Sequence, residues 1–137
     1  MQPHILQNED LCETCSYKTE YFQRFLTGTD YVLCTISAAE YLGLCNWTTS
    51  PQVYVWTRQE CIDRNIQITW EHGLWHTTVN QTINDLLSDP TIDEQVILES
   101  LADQYYKNQY ADLTIRQENQ KAFQQFRMLA EEYYTQQ

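Results

Sequence analysis

The chain has 137 residues, of which 42% are apolar and 13% aromatic, enough for one real core and too many for a disordered chain. A formal charge of −11, with eight Lys and Arg scattered and never clustered, excludes an electrostatic surface for nucleic acid or for anionic membranes. The same acidity either favours encounter with a basic protein partner or serves solubility.

In chain order, residues 10–26 have helical character. Asp10 stands at a capping position with Glu13 three residues on, and Leu11, Cys15, Phe22 and Phe25 share one face. Thr27-Gly28-Thr29-Asp30 ends that helix, and residues 31–36 (YVLCTI) read as a strand. Ser37 is expected to cap a short helix over residues 38–42, with Glu40 completing a capping box and Gly43 terminating it.

After a polar turn, residues 53–57 (VYVWT) read as a strand and residues 59–65 as a mixed polar stretch. Residues 66–70 (IQITW) alternate, placing Ile66, Ile68 and Trp70 on one face of a half-buried strand. His72-Gly73 then turns into a short partner strand, Leu74 to His76.

Thr78, with Gln81 at the box position, is expected to cap a helix over residues 79–88 that Asp89-Pro90 stops. Thr91 with Glu94 opens another helix to about Lys107, with Ile97, Leu98, Leu101 and Tyr105 on its apolar face. A last helix is expected over residues 110–135. The sum is an α+β chain: a small, mainly antiparallel sheet of three to five strands, packed with four to five helices and closed by a long C-terminal helix. With three Gly and three Pro there is little room for linkers, so residues 1–137 read as a single domain.

No run of about 18 apolar residues occurs, and the first ten residues have no basic and apolar leader pattern, so a soluble, cytoplasmic protein is expected. Five Cys, an odd number, fit reduced thiols, with Cys34, Cys45 and Cys61 as small buried hydrophobes.

Candidate chemistry is sparse. Cys12-x-x-Cys15 has zinc-ligand spacing and His4 lies upstream, but no second pair follows, and His72 and His76 have no matching partner. Carboxylate pairs at Glu9-Asp10, Asp93-Glu94 and Glu131-Glu132 fall at helix ends or on polar faces. No nucleophile elbow, phosphate-cradling Gly loop or HExxH motif occurs, so no catalytic, cofactor or metal residue is assigned and no enzyme is expected. In the last helix Ile115, Asn119, Ala122, Phe126, Leu129 and Tyr133 form a heptad stripe with a polar Asn in the seam. It packs on its own domain or pairs two chains as a homodimer.

Residues 35–44 (TISAAEYLGL) and 76–87 (HTTVNQTINDLL) together resemble the C-terminal domain of AbiE-type (type IV) bacterial antitoxins and the transcriptional-regulator-like proteins grouped with them. The resemblance covers residues 30–107. It rests on the strand before Ser37, then Ala38, Ala39, Tyr41, Leu42, Gly43 and Leu44. A Pro51 turn and a strand follow, and then Thr78, Thr82, Ile83, Asp85, Leu86 and Leu87. The Arg that usually precedes the second Thr is Gln81 here, and the residues before Asp30 leave no room for the winged-helix DNA-binding part. The resemblance implies a non-enzymatic interaction module for a protein partner, such as a nucleotidyltransferase-like toxin that it neutralises or regulates, without operator binding. A self-associating domain built on the last helix and a small metal-binding protein using Cys12 and Cys15 are the alternatives.

Overall fold

The computed structural model describes residues 2–8, 18–48 and 50–135, with side chains as far as residue 132. The elements run β1 (His4–Gln7), α1 (Lys18–Leu26), β2 (Tyr31–Leu33), α2 (Thr35–Tyr41), β3 (Gln52–Thr57) and α3 (Arg58–Asp63). They continue with β4 (Ile68–Glu71), β5 (Leu74–Thr77), α4 (Val79–Ser88), α5 (Glu94–Asn108), a 3-10 turn (Gln117–Asn119) and α6 (Gln120–Thr135). The strands form one sheet in the order β1-β3-β2-β5-β4. All pairings are antiparallel except β2 with β5, where Val32 stands beside Trp75 and Leu33 beside His76. The fold is α+β with a mixed, mainly antiparallel sheet, as expected.

The parallel pair organises the molecule. Each of its strands runs straight into a helix, β2 into α2 and β5 into α4, and the two helices pack on each other. Alternation along β3 sends Val53 and Val55 to one face, against Tyr21, Phe22 and Leu26 of α1 and Ala38 and Tyr41 of α2. Trp56 goes to the other face with Val32, Cys34 and Cys61, under α3. A third cluster is helical: Ala39 and Leu44, Ile83 and Leu86 of α4, Ile97 and Leu101 of α5, and Phe123 and Ala130 of α6.

Several local signals work as expected. Thr78 Oγ1 accepts from the Gln81 amide at 3.1 Å, so α4 begins at Val79. His72 and Gly73, at φ +54° and +84°, make the two-residue turn of the β4–β5 hairpin. Gly43 (φ +77°) ends α2 with the Gly43 amide on Glu40 O and the Leu44 amide on Ala39 O, the paired bonds of a Schellman motif.

Others are corrected. Ser37 does not cap: α2 begins at Thr35, and the buried Ser37 Oγ accepts from the Tyr54 amide on β3 at 2.9 Å. Glu40 closes no box, because its Oε2 accepts from the Thr48 amide and hydroxyl at 3.0 and 3.1 Å. The strand expected over residues 31–36 stops at Leu33, since Thr35 takes φ +45°. Gln81 accepts from the Gln67 amide at 3.1 Å rather than from the amide of its own cap residue. The Thr91 hydroxyl is held by Asp89, and Asp93 caps α5 instead.

The last helix begins at Gln120, because Gln109 and Tyr110 (φ +54° and +68°) end α5 in a left-handed turn and residues 111–116 are irregular. Two elements are additional. The edge strand β1 pairs with β3, and α3, opened by a complete Thr57–Glu60 capping box, makes six α-helices among the described residues. Asp10, Leu11 and Cys15 lie outside the described residues.

Candidate functional site

A two-lobed cleft opens where the N-terminal segment, the start of α2, β3 and the end of α4 meet. One lobe, about 230 Å³, is lined by Thr35, Trp56, Asp85, Ser88 and Asp89, with Gln2, Pro3 and Pro90 at its edge. The adjoining lobe, about 200 Å³, shares Gln2, Pro3, Thr35 and Asp89 and adds an apolar wall of Ile5, Ile36, Tyr54 and Ile92.

The polar groups of this cleft are incompletely satisfied. Thr35 is β-branched yet sits at φ +45°, a conformation that costs on the order of 1–3 kcal/mol. Only 8% of the residue is exposed, and its hydroxyl makes no hydrogen bond of ordinary geometry, with the Cys34 thiol as a polar neighbour. Asp85 Oδ1 accepts from Gln81 Nε2 at 2.9 Å, whereas Oδ2 is buried without a hydrogen-bond partner. Burial pushes the Asp85 carboxyl up to about 6, against the opposing pull of the Gln81 hydrogen bond and the Arg116 charge.

Asp85 and Asp89 also stand at the C-terminal end of α4, where the helix dipole is negative, and no basic residue occupies its last turn. The described thiols are held in the protonated, weakly nucleophilic form. Burial first, then the Asp85 charge, pushes Cys34 well up, and burial pushes Cys61 to about 11 and Cys45 to about 12.

A second surface lies on the open side of the hairpin. Trp70 of the edge strand β4 is 55% exposed and meets Trp75 of β5 edge to face, with ring centroids 5.3 Å apart. The Arg58 guanidinium lies 4.5 Å over Trp75 and that of Arg64 lies 5.0 Å over Trp56.

Of the residues weighed for chemistry, Cys12 and Cys15 lie outside the described residues, as do Glu9 and Asp10. His4 is engaged with Glu60, its Nε2 within 2.9 Å of the carboxylate. His76 is buried, with Nδ1 at 2.8 Å from Thr77 O. Among the described residues, no three His, Cys, Asp or Glu side chains come together to hold a metal. Asp93 caps α5, and Glu131 pairs with Arg127 at 2.9 Å.

The heptad stripe does not form one continuous seam. Asn119 is buried against Asn84, Phe126 is half-buried in the helical core and Leu129 is 51% exposed, while the inward line of α6 is Phe123 and Ala130. Sequence reasoning missed Thr35 and Asp85. The one available signal was an Asp near the C-terminal end of α4 with no basic residue in the last turn of that helix.

No protein-family model matches the chain, and neither a curated protein nor a solved structure matches it significantly. Among the described residues, no helix is long and apolar enough to cross a membrane.

Proposed function

We propose that this chain is a non-enzymatic protein-interaction module, related to the C-terminal domain of AbiE-type antitoxins, that acts in the bacterial cytoplasm by holding a protein partner. The partner the resemblance implies is a nucleotidyltransferase-like toxin, which the module neutralises or regulates. The observation that carries this reading is Trp70, more than half exposed on β4, whose outer side has no neighbouring strand among the described residues. An exposed Trp backed by a second aromatic ring, on an open sheet edge, is the residue type and setting that interface centres use.

Two further observations support it. The segments that carry the resemblance stand side by side as β2–α2 and β5–α4. Cys34, Cys45 and Cys61 are free thiols, in keeping with a reducing compartment. The test is to express the tagged chain in its native host beside a Trp70→Ala variant. Wild type should retain a stoichiometric protein partner, and the variant should lose about tenfold or more in affinity. Recovery of the chain alone, with no effect on a neighbouring toxin, rejects the reading.

A second reading, self-association through α6, is favoured by Met128 and Leu129, adjacent on that helix and 71% and 51% exposed. Sedimentation of Leu129→Asp decides it: a shift from dimer to folded monomer supports the seam, and a monomeric wild type removes it. Phe126→Asp is the poorer probe, because Phe126 also packs into the chain's own core.

A further inference from the structure

We propose that the cleft at the end of α4 is a binding site for an aliphatic cation, an ammonium or guanidinium group carried on an alkyl stem. Three features converge on that class. The polar lobe presents two carboxylates, Asp85 and Asp89, at the negative end of a helix whose last turn has no basic residue. Thr35 Oγ1 and Asp85 Oδ2, on residues that line this lobe, are buried and make no hydrogen bond of ordinary geometry, so a donor-rich head group toward which they turn would supply the partner each lacks. The second lobe continues from the first along Ile5, Ile36, Tyr54 and Ile92, an apolar wall suited to methylene groups.

A metal ion fits less well, since no three His, Cys, Asp or Glu ligands converge among the described residues. An anion would meet two carboxylates. A neutral apolar ligand would leave the two oxygen atoms as they are.

Ionisation of Asp85 is part of the device. Its charge is set by burial, which favours the neutral acid, against the Gln81 hydrogen bond on α4 and the Arg116 charge ahead of the 3-10 turn. Cys34 at the β2–α2 junction and Cys61 on α3 face it as thiols that its charge pushes further up. Because burial raises the Asp85 carboxyl to about 6, an arriving cation finds it ionised at neutral pH and increasingly protonated below that value.

The cation has two sources. It is either a Lys or Arg side chain of the protein partner, which rests on the interaction-module reading, or a free aliphatic amine, which does not. The experiment is an amide-resonance titration of the isolated full chain with four probes: N-acetyl-lysine methylamide, N-acetyl-arginine methylamide, 1,4-diaminobutane and N-acetyl-norleucine methylamide. Saturable shifts at Thr35, Trp56, Asp85, Ser88 and Asp89 are expected with the cationic probes and not with norleucine.

Asp85→Asn and Asp89→Asn should each weaken binding about tenfold, with the fold confirmed by circular dichroism. The wild-type affinity should fall severalfold as pH drops through about 6, a readout that needs no variant. Binding of the capped amino acids points to a partner side chain, and binding of the diamine alone points to a free amine. Either outcome supports the site. No saturable shift with any cation, or binding that norleucine reproduces or that both variants leave unchanged, overturns it. The two proposals fail separately: cation binding without a co-purifying partner leaves the cleft standing, and a partner held equally by Asp85→Asn leaves the module standing.

Discussion

Asn119 donates from one side-chain nitrogen to both the backbone oxygen and the side-chain oxygen of Asn84, at 3.0 and 2.9 Å. Both residues are buried, and Asn84 also accepts from the Arg116 amide at 2.9 Å and donates to Thr114 O at 3.1 Å. One α4 side chain therefore straps down the irregular segment that joins α5 to α6. That strap, rather than an interchain seam, accounts for a polar residue in the stripe. Asn119→Ala should cost about 1–3 kcal/mol in urea unfolding, because it strips partners from buried acceptors, and should leave the sedimentation coefficient unchanged.

Asp85 makes stability depend on pH in an unusual direction for a carboxylate. Its ordinary value of 3.8 is raised to about 6 in the fold, so between these values the folded chain holds a proton that the unfolded chain has released. The Asp85 contribution to stability is therefore lost as pH climbs from about 4 to 6. Urea midpoints measured across that window should be flatter for Asp85→Asn than for wild type. A variant profile as steep as wild type would show that another group titrates.

Ser37→Ala should expose what Ser37 does. Removing Oγ leaves the Tyr54 amide without its acceptor inside the molecule, at a cost of about 1–3 kcal/mol. Hydrogen exchange gives the sharper readout: the Tyr54 amide on β3 should lose protection, whereas loss of a helix cap would instead loosen the first amides of α2.

Gly43→Ala should destabilise by about 1 kcal/mol, since the left-handed φ of +77° that closes α2 suits glycine. The added methyl would stand 3.2 Å from Lys18 Nζ, the mobile end of a long side chain, so the backbone and not a clash sets the cost. Thermal unfolding of the variant measures it.

Thr57→Ala should cost about 1 kcal/mol by breaking the capping box of α3. The loss should appear as a loosened α3, with the Arg58 contact on Trp75 weakened alongside.

What the sequence disclosed follows how local each signal is. The bounds of α4 were legible because Thr78 caps and Asp89-Pro90 stops within the segment itself, and the hairpin because His72-Gly73 needs nothing beyond its own two residues. Helix α3 was missed although its Thr-x-x-Glu box was in plain view, because only Cys61 of its six residues is buried and the apolar period is silent. Strand β1 gave no alternating pattern, since it is a short, largely exposed edge. Ser37 has the residue type of a cap, and only the approach of β3 reveals its different duty. The cleft was illegible for the same reason. The strain at Thr35 and the burial of Asp85 arise from segments far apart in the chain, and neither leaves a local mark.

The sorting of the tryptophans has a practical consequence in light. Trp56 is buried beneath one guanidinium, Trp75 is half-buried beneath another, and Trp70 stands in solvent at the sheet edge. Trp70 should therefore emit at the longest wavelength and be the most readily quenched by acrylamide. A protein that covers β4 would shift that emission to the blue, so the chain has an intrinsic fluorophore at the place where its proposed partner would settle.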